Sequence, residues 1–313
     1  MLNKCLHLLR ESISTLRGKQ PKRLLTYACI SNGESLMLRL RVIRSNSNIK
    51  FSKKDSALSH IIKVFRLFLS RSVSSTEVKM LIDGKSHVLR SSKRGYIEKT
   101  LAVAVKEKKI QMILEGKKKT YDIDVTFISP DSKIVVSDLD DTILKSQATN
   151  IYKLVARTLF NPLKKRNSFD GASDYYKSLE EKGYKVMYVS SSTWDLFPMI
   201  KAFIYEFGFP LGPIFLQNTR DEKVSDRPHH QKFDYVVDLA TIVNRGQMIL
   251  IGDEGQHDPE IYLEISKLYP KLVDKVLIRK SWWTKKEDSQ KHIDLAAELG
   301  TDFRYFEEVS DLA

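Results

Sequence analysis

Residues 134–145 read IVVSDLDDTILK. An apolar run leads straight into Asp138, Asp140 and Asp141, three carboxylates in four positions that repel one another and resist joint burial. Two other apolar runs end in polar groups of matching chemistry. YKVMYV is followed by Ser190, Ser191 and Ser192, and QMILI by Gly252 and Asp253, with Asp258 five residues further on. Lys232 stands at the start of a helical stretch that leads into QMILI. Asp138 and Asp253 can supply hard oxygen ligands to Mg²⁺ and leave places for water and phosphate oxygens. Lys232 adds a second positive charge. Asp138, kept ionised by both, can attack phosphorus. Asp140 can protonate a leaving group and then take a proton from the attacking water. The Ser190 hydroxyl and nearby backbone N–H groups can hold the equatorial oxygens of the phosphoryl group, with Ser192 an alternative to Ser190.

Such groups act together only if strands deliver them to one edge. Strand-like runs at 134–138, 184–191, 212–217, 247–253 and 275–279 alternate with helical stretches at 151–160, 173–182, 194–207, 232–243 and 258–268. This alternation predicts an α/β fold over 131–313, a doubly wound and mostly parallel sheet whose ligands bind beyond the carboxyl ends of the strands. The interval after Thr142 leaves room for a small cap. The polar stretch 218–231 reads as a mobile lip over the site. Upstream, strand-like runs at 24–30, 36–43, 77–83, 85–90, around 100–105, 109–116 and 121–128 predict a small β-sandwich-like domain over 24–130. In the run at 36–43, Arg39 and Arg41 share one face. Residues 1–23 place Leu2, Leu6, Leu9, Ile13 and Leu16 at helical spacing among Lys4, Arg10 and Arg17, which predicts a basic amphipathic helix. A second such stripe runs through 57–72.

The net charge of +13 is uneven. Residues 1–130 hold 27 Lys and Arg against 10 Asp and Glu, a net of +17, and residues 131–313 hold 25 against 29, a net of −4. The basic half favours an anionic partner. A peripheral contact with anionic membrane fits the two amphipathic stripes, although such stripes also serve as ordinary core-facing helices. No nucleic-acid reader motif is present, so nucleic acid is not expected as a partner. No apolar run reaches the ~20 residues of a membrane-spanning helix, and the N-terminal residues lack the uninterrupted apolar stretch of a secretory signal. Cys5 and Cys29 alone do not make a disulfide framework, so reduced thiols and a cytoplasmic chain are expected.

The order DxDxT, strand-end Ser, Lys, then GDxxxxD resembles the haloacid dehalogenase-like superfamily of phosphohydrolases. SDLDDTILKS, YVSSSTWDLFPMIKAFI, GFPLGPI and LIGDEGQHDPEIYLEI resemble one family within it, the actin-patch-associated phosphatidate phosphatases related to the lipins. The resemblance covers roughly 131–280, and Thr193, Leu139 and the Gln231 that separates His230 from Lys232 depart from the usual pattern. It implies Asp138 as nucleophile and metal ligand and Asp140 as acid and base whose carbonyl also binds metal. It further implies Ser190, with Ser191 beside it, and Lys232 at the phosphate, Asp253 on Mg²⁺, and Thr142 and Asp258 supporting these groups from behind. The implied activity is Mg²⁺-dependent hydrolysis of phosphatidic acid to diacylglycerol and phosphate. The alternatives are the same chemistry on a soluble phosphomonoester or phosphoprotein, a phosphotransferase, or a lipid-binding adaptor of marginal activity. His229, His230 and His257 lack metal-ligand spacing and read as loop residues. Arg279, Trp282 and Trp283 follow the last expected strand and read as rim or surface residues.

Overall fold

A computed structural model describes residues 21–45, 52, 54–56, 59, 63, 71–73, 75–117, 120–139, 142, 169–217, 230–280 and 286–312. The expected helices at 1–23, 57–72 and 151–160, the cap after Thr142 and the lip at 218–231 lie wholly or mostly outside these residues, as do Cys5, Asp140, Asp141, His229, Trp282 and Trp283. Among the described residues, 21–128 with Asp195–Ala202 form one compact unit, and 129–194 with 203–312 form the other.

The first unit contains two mainly antiparallel sheets. One joins β1 (Lys22–Ser31), β2 (Leu36–Arg44), β3 (Arg71–Ser72), β6 (Tyr96–Leu101) and β9 (Thr126–Phe127); the other has the order β5-β4-β7-β8, from β4 (Glu77–Ile82), β5 (Lys85–Arg90), β7 (Lys109–Leu114) and β8 (Thr120–Asp124). Leu36, Leu38, Leu40 and Val42 of one sheet and Val78, Met80, Ile110 and Met112 of the other share a single buried core, which makes the pair a sandwich. The expected strand at 100–105 is displaced to Tyr96–Leu101, because the pairing starts at Gly95. There the chain turns at φ 83°, and the Gly95 carbonyl accepts from Val42 N at 2.7 Å. A Cβ at Gly95 would meet the Val42 carbonyl oxygen, so glycine sets the register. The single expected strand 121–128 divides, β8 pairing with β7 and β9 running parallel to β1. The Arg39 and Arg41 face of β2 is buried, because β2 is covered on both faces. Arg41 pairs with Asp195 at 2.8 Å and lies over the Tyr96 ring.

The second unit is one six-stranded parallel sheet. Its strands are β10 (Lys133–Ser137), β11 (Tyr184–Thr193), β12 (Ile214–Gln217), β13 (Gln247–Asp253), β14 (Val273–Arg279) and β15 (Asp302–Phe306), in the order β12-β11-β10-β13-β14-β15. Counted within this unit, the order is 3-2-1-4-5-6, so the winding reverses between β10 and β13. β10 and β13 are apolar and buried almost throughout, as strands covered on both faces must be. The described helices are α1 (Ala172–Glu181), α2 (Phe197–Glu206), α3 (His230–Ile242), α4 (Asp258–Leu268) and α5 (Lys286–Leu299). α3, α4 and α5 pack side by side in one layer. α5 and β15 extend the alternation beyond the strand that closes it in the sequence reading, although KKEDSQKHIDLAAEL followed by Gly300 carries a helix-and-stop signal.

Candidate active site

The winding reverses between β10 and β13, and the described candidate residues gather at the carboxyl edge of the sheet beside that reversal. Ser137 pairs with Ile251 across the two strands, and Asp138 N donates to the Ile251 carbonyl at 2.8 Å. Asp138 and Asp253 therefore leave adjacent parallel strands within about one residue of the same level. Asp258 opens α4, following His257, which holds φ 61° and is followed by Pro259 in the first turn. Gly252 is what lets Asp258 approach. A Cβ there would collide with the Asp258 carboxylate and stand 2.8 Å from both Asp258 Cβ and Tyr262 Cε2. The glycine of GDEGQHD is thus a packing requirement, a signal present in the sequence whose meaning appears only with the fold.

One ammonium group organises the cluster. Lys232, in the first turn of α3, donates from Nζ to Asp138 Oδ1 at 2.7 Å and to Asp258 Oδ1 at 2.5 Å. Asp138 Oδ2 accepts from Thr142 Oγ1 at 3.4 Å, and Asp258 Oδ2 accepts from Asp253 N at 3.2 Å. Asp253 uses Oδ2 to accept from Gly255 N at 2.8 Å, which caps the turn at Glu254–Gln256, while its buried Oδ1 has no partner among the described residues. Asp138, Asp253, Asp258 and Lys232 are all essentially inaccessible to solvent. Asp258, expected behind the ligands, is one of three carboxylates that each offer an oxygen within 4.8 Å of the others.

Charge decides what this arrangement requires. Three ionised carboxylates and one ammonium leave a net of −2 in a closed space. At an effective dielectric of 20, each ionised pair at such separations costs about 3 kcal/mol or more. Burial, then the neighbouring Asp258 and Asp138 carboxylates, push Asp253 well above the usual carboxylate range. Burial alone would pull Lys232 down, but Asp138 and Asp258 outweigh it and raise it above its ordinary value. A divalent cation beside the orphaned Asp253 Oδ1 removes the excess charge and completes that atom's coordination, so the donor set fits a hard cation.

Ser190 stands on β11, two residues beyond the Ser137–Tyr188 pairing and on the same edge. The ladder to β12 is interrupted after Ser190, and Ser192 N turns back to donate to Ser190 Oγ at 2.9 Å. Ser190 and Ser192 are buried and Ser191 is half-buried. His257 lies in the loop as expected, with its ring mostly exposed and outside the acidic trio; His230 is the first residue of α3 rather than a loop residue. Arg279 ends β14 level with Asp253 and lies over the Phe169 ring. A hydrogen-bonded pair behind β10 carries no warning in the sequence. Ser137 Oγ donates to the Asp138 carbonyl at 2.7 Å and bonds the buried Tyr176 hydroxyl at 2.6 Å.

Residues 133–280 match the family model of the phosphatidate phosphatase APP1 catalytic domain. The chain is 27% identical over 157 residues to phosphatidate phosphatase APP1 of Saccharomyces cerevisiae, which covers 49% of this chain and 27% of that protein. It is 24% identical over 165 residues to the uncharacterized protein C29B5.04c of Schizosaccharomyces pombe, covering 51% of this chain and 27% of that protein. The chain thus spans about a quarter of the length of these curated relatives. Among solved structures, a class C acid phosphatase from Bacillus anthracis aligns at 20% identity over 57% of this chain and 67% of that one, with a TM-score of 0.32. A chain of the Pnkp1/Rnl/Hen1 complex aligns at 12% identity over 51% and 53%, with a TM-score of 0.34. Residues 133–280, just under half of the chain, are thus similar to APP1-like phosphatidate phosphatases.

Proposed function

We propose that this chain, with its APP1-like segment at 133–280, is a phosphoric monoester hydrolase of haloacid dehalogenase-like type that removes phosphate from phosphatidic acid. The observation that carries the reading is the buried Asp138–Lys232–Asp258 bridge beside an Asp253 oxygen with no partner among the described residues. A structural salt bridge needs no such orphan, whereas a cation site does.

In this reading Asp138 and Asp253 would hold Mg²⁺, joined by the Asp140 carbonyl, and the bound ion would offset the excess negative charge and polarise the phosphoryl oxygens. Lys232 fixes the Asp138 carboxylate and keeps it ionised, and Asp258 anchors the ammonium from the far side. An Asp138 oxygen attacks phosphorus in line, and the bond to the ester oxygen breaks. Asp140 gives that oxygen its proton, so the product is the free alcohol, diacylglycerol for the lipid substrate. Asp140 then takes a proton from a water that attacks the phosphorus of the aspartyl-phosphate, releasing inorganic phosphate and restoring Asp138. Ser190 and Ser191 bind the equatorial oxygens, and Thr142 steadies Asp138.

The lipid substrate is supported by the family match and by the basic first 130 residues, whose net of +17 suits an anionic bilayer surface. Among the described residues no helix is long and apolar enough to cross a membrane; the contact proposed is a peripheral one. Phosphate release from phosphatidic acid in mixed micelles, set against a panel of soluble phosphomonoesters, tests the substrate. Preference for the lipid is expected; turnover confined to soluble esters would overturn the lipid assignment, and release from neither would overturn hydrolysis. Co-sedimentation with vesicles tests the contact: binding is expected to need anionic lipid and to weaken with salt, and indifference to both would remove it.

A further inference from the structure

The loop carrying Asp253 and Asp258 is held from outside the segment that matches the family model. That segment ends at residue 280, yet α5 and β15 follow it and close on residues 254–260. Ser289, on α5, donates Oγ to Glu254 Oε1 at 3.1 Å, next to Asp253. Tyr305, on β15, lies beside both Glu254 and Ser289. Its hydroxyl is 2.8 Å from His292 Nδ1, and His292 Nε2 is 3.4 Å from Glu260 Oε1, two residues past Asp258. Tyr305 Oη and His292 Nδ1 share one hydrogen bond whose donor is set by the imidazole tautomer, and Nε2 lies within ion-pair distance of Glu260.

The clamped positions, 254 and 260, bracket a backbone that needs holding. Between them His257 adopts φ 61°, in the left-handed region, and its side chain makes no cap for α4. A non-glycine residue stays there only where its surroundings over-determine the conformation. Gly252 and Tyr262 hold the loop from the core side, and the α5–β15 contacts hold it from the other. The distance between the Asp253 and Asp258 carboxylates depends on that turn.

We propose that the unit Lys286–Phe306 is a clamp that presets the Asp253–Asp258 turn and thereby sets the affinity of the site for a divalent cation. The proposal rests on the cation site of the function proposed above, and on none of its chemistry. Partners that orient metal ligands from behind typically tune metal affinity by about 10–100-fold. Ser289, His292 and Tyr305 act here as positioning residues.

The test is calorimetric titration of the full chain with Mn²⁺, without substrate, alongside the melting temperature in chelator. The variants are Ser289→Ala with Tyr305→Phe, His292→Ala, His292→Gln and Asp253→Asn. The first two are expected to bind Mn²⁺ about tenfold more weakly while still melting cooperatively. His292→Gln, which keeps a polar amide between Tyr305 and Glu260, is expected to recover most of the affinity. Unchanged affinity in folded His292→Ala and in the Ser289/Tyr305 pair would overturn the clamp. If the pair fails to fold, the two His292 variants decide alone. If Asp253→Asn binds Mn²⁺ like the unaltered chain, the cation site itself is wrong and the clamp falls with it. If Asp253→Asn abolishes binding and the clamp variants do not weaken it, only the clamp is lost.

Discussion

Replacing Asp253 by Asn should make the metal-free protein more stable and the metal-loaded protein less so. Asp253 is held against burial and against two neighbouring carboxylates, with one oxygen lacking a partner among the described residues. Leaving a buried charged group uncompensated costs about 1–3 kcal/mol or more. A neutral amide of the same shape removes that penalty, and its N–H can donate to the nearby carboxylates. At ~2–4 °C per kcal/mol for a unit of 150–250 residues, a gain near 2 kcal/mol raises the melting temperature by about 4–8 °C in chelator. The sign reverses with Mg²⁺. At a hundred times its dissociation constant a ligand adds about 2.7 kcal/mol, some 5–11 °C, to the unaltered chain. The variant, lacking that ligand, should gain little. The pH dependence follows from the same group. Its folded pKa is raised above the ordinary 3.8, so the folded state retains a proton that the unfolded chain releases. The associated stability is complete below pH ~4 and is lost as pH climbs toward the folded pKa, by at most ~1.4 kcal/mol per pH unit. Scanning calorimetry in chelator across pH 4–8, then with increasing Mg²⁺, should show this slope in the unaltered chain and not in Asp253→Asn. A variant less stable than the parent in chelator, yet still stabilised by Mg²⁺ to the same extent, would refute the reasoning.

Other substitutions probe the same architecture. Lys232→Met leaves Asp138 and Asp258 without their shared cation and should cost roughly 3–5 kcal/mol in metal-free denaturant melts; a loss below 1 kcal/mol would mean the bridge is not a structural keystone. Gly252→Ala should lose about 1–3 kcal/mol and weaken Mn²⁺ binding, because the new methyl must displace Asp258 or Tyr262; parental affinity and stability would show that the loop yields freely. Asp140→Asn should suppress phosphate release while leaving Mn²⁺ binding within a few-fold of the parent, and full turnover would remove its acid–base role.

The edge that carries the candidate site is legible in the sequence because its strands are central and parallel. Such strands must be apolar on both faces, so they read as short apolar runs, and the polar residues at their ends, Ser137 and Asp138, Ser190, and Asp253, mark the sheet edge. What depends on packing between elements is not legible. Asp258 reads as a support behind the ligands, and only the missing Cβ of Gly252 explains how it comes level with the other carboxylates. Tyr176 carries no local signal, since its meaning lies in a bond to Ser137 from another element. In the sandwich, the alternation of β2 identifies a face for Arg39 and Arg41 but not that this face is covered, which needs Asp195 more than 150 residues away. Strand β6 is displaced because Gly95, rather than the apolar run at 100–105, begins its pairing.

The central claim is that an Asp138 oxygen attacks phosphorus. Rapid acid quench of a single turnover with phosphorus-labelled phosphatidic acid and Mg²⁺, followed by peptide mapping, tests it directly. Transient label is expected on the peptide containing Asp138, released by hydroxylamine as an acyl phosphate should be, and absent from Asp138→Asn together with phosphate release. Phosphate release without protein-bound label at any time, or undiminished turnover by Asp138→Asn, would contradict it.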